Sequence, residues 1–147
     1  MEASEAAAAL SAMQDSRARL AAAANCPPER HLAFAVLLGG VVAAQAAPPI
    51  GTLIIEALLA VGGVLVFIWD RKRTGMFING YRAGRTRPMT LSLIAVTLAL
   101  GALGVWLKLS LGVIWAPVAC GIAVAVIAYF MSAAWQTIYR RELRDMP

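Results

Sequence analysis

The segment DRKRTGMFINGYRAGRTRP, residues 70–88, separates two pairs of long apolar segments. It carries six of the thirteen basic residues of the chain and one acidic residue, Asp70. The six are Arg71, Lys72, Arg73, Arg82, Arg85 and Arg87. Short loops rich in Lys and Arg stay on the cytoplasmic side of a membrane, because clustered positive charge is unfavourable to translocate. The segment therefore predicts how the apolar segments on either side of it are oriented.

The composition of the chain indicates a membrane protein. Of the 147 residues, 61% are hydrophobic and only 14% are charged, whereas soluble domains carry about 25% charged residues. A chain of this size cannot hide so much apolar surface in its own core, so the surrounding medium is expected to be lipid. The net charge of +5 comes from basic residues that adjoin the apolar segments. This placement favours anionic lipid head-groups, or an acidic partner, as the contacts of the six basic residues, and it argues against nucleic acid.

Four apolar segments reach, or nearly reach, the length needed to cross a bilayer. Their predicted bounds are 30–47, 50–69, 89–107 and 111–135. The first and second segments are joined at Pro48 and Pro49, and the third and fourth by a short connection around 109–111. Each pair is therefore predicted to form a helical hairpin. The fold class is all-α, with a four-helix transmembrane domain over residues 30–139.

The two ends of the chain are predicted to be cytoplasmic, because four spans with the basic loop inside place both termini inside. Residues 1–29 are predicted to form an amphipathic helix followed by a Pro-Pro linker. This helix would rest on the membrane surface or on the bundle, or else dock a partner protein; partial disorder is the third alternative. Residues 140–147 form a basic tail containing Arg140, Arg141 and Arg144.

The tryptophans agree with this topology. Trp69 and Trp135 fall at the predicted cytoplasmic interface, and Trp106 and Trp115 fall at the opposite one. Amphipathic indole rings concentrate at both interfaces of a membrane. Lys108 is the one basic residue predicted on the outer side, where its side chain can reach the interface.

Two rows of small residues at four-residue spacing predict close helix packing. They are Ala35, Gly39 and Ala43 in the first span, and Gly112, Ala116 and Cys120 in the fourth. Such rows let two helices approach closely in a membrane. We therefore expect association through these faces, as a homo-oligomer or as a subunit of a larger membrane complex.

Glu56 is the one acidic residue within a predicted span. It lies six residues after Ile50, about 9 Å deep at the helical rise of 1.5 Å per residue, and Gln45 lies at a similar depth as a possible hydrogen-bond partner. Ionisable groups in lipid usually face the bundle or a cavity. Two interpretations stay open: a proton-linked or cation-linked carboxylate, and a neutral glutamic acid with a structural hydrogen bond.

The remaining polar residues do not assemble into a recognisable catalytic or metal-binding set. His31 is the single histidine of the chain and is expected to contact head-groups at the start of the first span. The two cysteines are not spaced as metal ligands. Asn79 and Gly80 in the basic loop favour a tight hairpin turn, although the loop could instead insert apolar side chains at the interface. We expect no enzymatic activity, no metal and no cofactor.

The arrangement of four spans around RKRTGMFINGYRAGRTR resembles that of uncharacterised small four-helix membrane proteins of bacteria. This resemblance implies an inner-membrane location and no activity. Small multidrug exporters are similar in size and span number, but their acidic residue lies in the first span, where this chain has Gln45. The sequence therefore favours a non-enzymatic membrane accessory or scaffold protein. The alternative is a small homo-oligomeric transporter or channel that uses Glu56.

Overall fold

The computed structural model describes residues 2–23, 27–74 and 87–145, and over these ranges the protein is all-α. Five helices follow one another along the chain. They are α1 (Glu2–Ala23), α2 (Pro28–Ala44), α3 (Pro49–Thr74), α4 (Arg87–Leu111) and α5 (Ala116–Asp145). The predicted hairpin turn at Asn79 and Gly80 lies outside the described residues.

Three of these helices are long and apolar enough to cross a membrane, namely Pro49–Arg73, Arg87–Leu111 and Ala116–Ile138. The protein is therefore compatible with a membrane location. α2 has 17 residues, which corresponds to about 25 Å of helix. A bilayer core is about 30 Å thick, so the fourth crossing stays a prediction.

α2 is the central helix of the bundle. It packs against α5, α3 and α4, and α5 also packs against α4 and α1. α2 and α4 begin at the end of the bundle where α3 and α5 finish; we call this the basic end. At the opposite end, which we call the hairpin end, α2 turns into α3 and α4 turns into α5.

The seam between α2 and α5 is built from small residues. Gly39 faces Gly121 and Ala125, and Gly121 in turn faces Ala43. Ala35 and Ala128 are buried in one cluster further toward the basic end. Residues with higher numbers in α2 contact residues with lower numbers in α5, so the two helices run antiparallel. The predicted close packing of Ala35, Gly39 and Ala43 thus occurs within one chain.

The connection between α4 and α5 differs from the prediction. α4 continues to Leu111, and the connection occupies residues 112–115 instead of 109–111. Gly112 has a φ of +67°, a left-handed conformation that glycine adopts without the steric cost of a Cβ and that commonly ends helices. The prediction that Gly112 packs in a helical row was therefore wrong. Ala116 and Cys120, in contrast, are buried in α5.

The other helix ends also shift from their predicted positions. α2 starts at Pro28, because proline fits the first turn of a helix, where its missing N–H has no partner to lose. α3 extends to Thr74 and α4 starts at Arg87. Four of the six basic residues assigned to the loop are therefore helical: Arg71, Lys72, Arg73 and Arg87.

α1 is a helix, as the sequence predicts, and it lies next to α5. Its described side chains, at residues 4–13 and 15–16, are all exposed, including Leu10 and Met13. Its predicted amphipathic character and its cytoplasmic position stay predictions.

Candidate functional site

Glu56 and Gln45 meet at the hairpin end of the bundle. The Gln45 Nε2 donates a hydrogen bond to Glu56 Oε1 over 2.7 Å, which joins α3 to the end of α2. Both side chains are half-buried. Their similar depth in the two predicted spans had suggested this contact. An amide donor satisfies a carboxyl oxygen in either protonation state, so the contact stabilises Glu56 without fixing its charge.

Lys108 binds the same end of α2 from α4. Its ammonium donates to the backbone oxygens of Gln45, Ala46 and Ala47, at 2.7, 3.2 and 3.1 Å. The last carbonyls of a helix have no partner inside the helix and form its negative end, so a cation is favourable there. Lys108 was expected to reach toward the membrane interface. Instead it caps α2 within the bundle.

Gln45 therefore connects three helices at the hairpin end. Its backbone oxygen accepts from Lys108 on α4, and its side chain donates to Glu56 on α3. The turn is further fixed by Thr52, whose hydroxyl donates to the Ala44 oxygen over 3.0 Å. We call Gln45, Glu56 and Lys108 the hairpin-end cluster. Each of its contacts positions a helix end.

A second set of polar contacts lies at the basic end. Arg30 on α2 and Asp70 on α3 form an ion pair, with Nε and Oδ1 3.0 Å apart. Both side chains are largely buried, at 28% and 20% exposed. This pair explains the one acidic residue in the basic segment. It joins α3 to the first turn of α2.

His31, Ser132 and Gln136 form the most buried polar contact of the described chain, and we call them the His31 cluster. The ring Nδ1 lies 2.7 Å from Ser132 Oγ, and Nε2 lies 2.6 Å from Gln136 Oε1. His31 is 6% exposed and Gln136 is 9% exposed. Tyr129 packs edge-on against the ring. The prediction that His31 contacts head-groups was therefore wrong, because the ring is enclosed between α2 and α5.

The His31 cluster has the connectivity of a serine nucleophile, a base and an orienting group. Its surroundings do not favour acyl transfer. Ser132 lies in the interior of α5, where backbone N–H groups bond to the carbonyls of the preceding turn. The backbone N–H groups near this hydroxyl are therefore bonded within the helix and are not free to stabilise a developing oxyanion. The arrangement is better suited to holding α2 and α5 together.

Sequence reasoning missed the partners of His31, although a signal was present. His31 lies four residues before Ala35, so it continues the row of Ala35, Gly39 and Ala43 toward the basic end. That row faces α5 along its whole length. Ser132 and Gln136 are four residues apart and so share a face of α5. Extending the small-residue row by one turn in each helix would have predicted the contact.

The exposed basic residues surround this end of the bundle. Arg71, Lys72 and Arg73 are exposed on the last turn of α3, and Arg87 is exposed at the start of α4. The Arg73 guanidinium lies 5.8 Å from the centre of the Trp69 ring, within range of a cation–π interaction. Arg82 and Arg85 lie outside the described residues.

Within residues 2–23, 27–74 and 87–145, no group of three or more His, Cys, Asp or Glu side chains could hold a metal ion. Comparison of the chain with protein-family models, curated proteins and solved structures finds no match.

Proposed function

We propose that the protein is a non-enzymatic scaffold or accessory protein of the bacterial inner membrane, with four spans and both termini in the cytoplasm. Its bundle acts as a rigid anchor, and its basic end binds anionic head-groups and presents α1 and the C-terminal tail to partner proteins. The observation that carries this proposal is that both polar clusters consist of contacts between helices.

The contacts of the two clusters and the Arg30–Asp70 ion pair support an anchor because together they fix α2 at both ends. At the hairpin end, Glu56 and Lys108 bind groups of α2 from α3 and α4. At the basic end, Asp70 and Ser132 bind it from α3 and α5. A transport cycle needs polar groups that exchange partners, whereas these groups are engaged with one another.

The small-residue row of α2 no longer supports association with another chain, because α5 occupies it. Gly39 and Ala43 pack against Gly121 and Ala125 of the same molecule. Partner binding is instead proposed at the exposed surfaces of the basic end, where α1 lies beside α5. A homo-oligomer would form through other faces, and the mass of the protein in detergent tests for it.

The exposed Arg71, Lys72, Arg73 and Arg87 support contact with anionic lipid. Each basic residue near an anionic membrane surface contributes about 1 kcal/mol of attraction. Trp69, next to Arg73, is suited to the level of the head-groups. Lipid binding in nanodiscs tests this part of the proposal. Retention of phosphatidylglycerol should fall when Arg71, Lys72 and Arg73 are changed together to Gln, and a neutral lipid should be retained equally by both proteins.

The orientation is tested with reporter fusions in a bacterial host. Fusions at Pro147 and at Gly80 should report the cytoplasm, and fusions at Pro48 and within residues 112–115 should report the periplasm. If α2 lay on the membrane surface, the chain would cross the membrane three times. The Pro48 and Gly80 fusions would still report opposite sides, but the N-terminus would lie outside. A tag before α1 that is reached by an external protease would therefore contradict the four-span arrangement.

A further inference from the structure

The hydrogen-bonding capacities of the His31 cluster determine its protonation pattern. Gln136 presents its Oε1 to the ring, and an amide oxygen only accepts. Nε2 must therefore carry a hydrogen. In the neutral ring Nδ1 then has a lone pair, so the Ser132 hydroxyl donates to it. The contact is complete while the imidazole is neutral.

A proton taken up at Nδ1 would change this arrangement. The new N–H would donate to Ser132 Oγ, so the serine hydroxyl would have to turn away and find another acceptor. The ring would also gain a positive charge while 6% exposed. A buried charge is costly unless it is paired, and both ring nitrogens are already taken by neutral groups, Ser132 and Gln136.

Among the side chains that the structure describes, the two ring nitrogens contact Ser132 and Gln136 and no carboxylate. On α2, Glu29 and Arg30 precede His31 in the sequence; Glu29 is exposed, and Arg30 pairs with Asp70 of α3. α5 has no Asp, Glu, Lys or Arg between residues 116 and 139. Other charged residues on the packed helices whose side chains are described at this end are Arg71, Lys72 and Arg73 on the last turn of α3, Arg87 at the start of α4, Arg141 near the end of α5, and Glu5 and Asp15 on α1. Glu56 and Lys108 lie at the hairpin end. His31 is also in the first turn of α2, at the positive end of its dipole.

We propose that the His31 cluster is a pH-sensitive contact, which holds the beginning of α2 against α5 while the imidazole is neutral and releases it on protonation. Imidazole is the side chain whose ordinary titration falls between pH 5 and pH 8. The seam beyond it, from Ala35 to Ala43, is formed by small apolar residues and does not titrate. Acidification would therefore loosen one end of the α2–α5 seam and leave the other intact. This goes beyond the proposed scaffold function and does not depend on it.

The test uses the full chain in nanodiscs, without a histidine tag. Because His31 is the single histidine, the imidazole nitrogen NMR signals report it directly. At pH 8 they should show a neutral ring with the hydrogen on Nε2. The same signals follow proton uptake by the ring as the pH is lowered to 5. Amide hydrogen exchange over residues 31–36 should then accelerate roughly tenfold or more, the factor that corresponds to about 1.4 kcal/mol, after labelling times are corrected for the intrinsic effect of pH.

A His31→Gln variant is the matched control, because glutamine keeps hydrogen-bonding capacity but does not titrate. Its corrected exchange over residues 31–36 should be the same at both pH values. Amides of residues 39–43 should stay protected in both proteins. Protonation of His31 without faster exchange, a neutral ring with its hydrogen on Nδ1, or a ring that stays neutral down to pH 5 would each overturn the proposal. So would equal acceleration in His31→Gln.

Discussion

Gly39 and Gly121 touch across the α2–α5 seam so closely that neither position has room for a side chain. A Cβ on Gly39 would lie 2.5 Å from the backbone oxygen of Gly121, and a Cβ on Gly121 would lie 2.6 Å from that of Gly39. Backbone atoms cannot move aside as a flexible side chain can. Glycine at both positions therefore sets the distance between the two helices.

We predict that Gly39→Ala and Gly121→Ala each lower the free energy of unfolding by about 1–3 kcal/mol, the usual cost of overpacking a well-packed core. Gly101→Ala is the control, because a Cβ there would make an ordinary contact with Val42, at 3.8 Å. It should be neutral or slightly stabilising, since alanine favours a helix over glycine. Reversible unfolding in mixed micelles, followed by tryptophan fluorescence, measures the difference. Equal stability of Gly39→Ala and Gly101→Ala would contradict the close contact.

The small-residue rows show how far the sequence could predict the fold. The four-residue spacing of Ala35, Gly39 and Ala43 predicts a helix face that packs closely. It does not say whether the partner is another copy or a helix of the same chain, because both would present the same type of surface. Which helix packs against this row depends on how the helices are arranged around α2. That arrangement follows from long-range packing and is not visible in local periodicity.

The polar contacts also divide into those that local sequence predicts and those that depend on long-range packing. Two groups at similar depth on consecutive antiparallel helices come close when both face the neighbouring helix, so the sequence made Gln45 a candidate partner of Glu56, and the two do form a hydrogen bond. Lys108 lies 63 residues after Gln45, and nothing local connects it to the end of α2. His31 and Ser132 are similarly distant in sequence. The sequence identified the polar residues in or near the spans, but it predicted contact partners only between consecutive helices.

We predict that Lys108→Met destabilises the protein by about 1.5–3 kcal/mol, the range for hydrogen bonds to charged groups. The change removes the ammonium that binds three carbonyls at the end of α2. Lys72→Met makes the same chemical change on the exposed last turn of α3, and it should stay within about 0.5 kcal/mol of the wild type. Unfolding in mixed micelles compares the two. Similar stabilities would mean that Lys108 only extends to the membrane interface.

We predict that Gln136→Leu lowers stability by about 1–3 kcal/mol, because it leaves the buried Nε2–H of His31 without an acceptor. Thr137→Val is the control on the adjacent position. Its hydroxyl bonds to the Ala133 oxygen on the exposed side of α5, so the loss should be small. The thermal midpoints of both variants in the same detergent provide the comparison. A Gln136→Leu variant as stable as Thr137→Val would show that the His31 cluster contributes little to holding α2 against α5.

The last prediction separates the scaffold from the transporter, and it concerns Glu56. In the scaffold, Glu56 serves to accept the hydrogen bond from Gln45. Glu56→Gln keeps the shape of the side chain and an amide oxygen that can still accept, so both stability and function in cells should be nearly unchanged. Glu56→Leu removes the acceptor and should destabilise the protein by about 1–3 kcal/mol, since the half-buried Gln45 amide loses its partner. A transporter requires the opposite pattern. There the carboxyl group must gain and lose a proton, so Glu56→Gln should abolish proton-coupled flux in liposomes while the protein stays folded. Flux in the wild type that disappears in a stable Glu56→Gln variant would refute the scaffold proposal, and a silent Gln substitution beside a destabilising Leu substitution would support it.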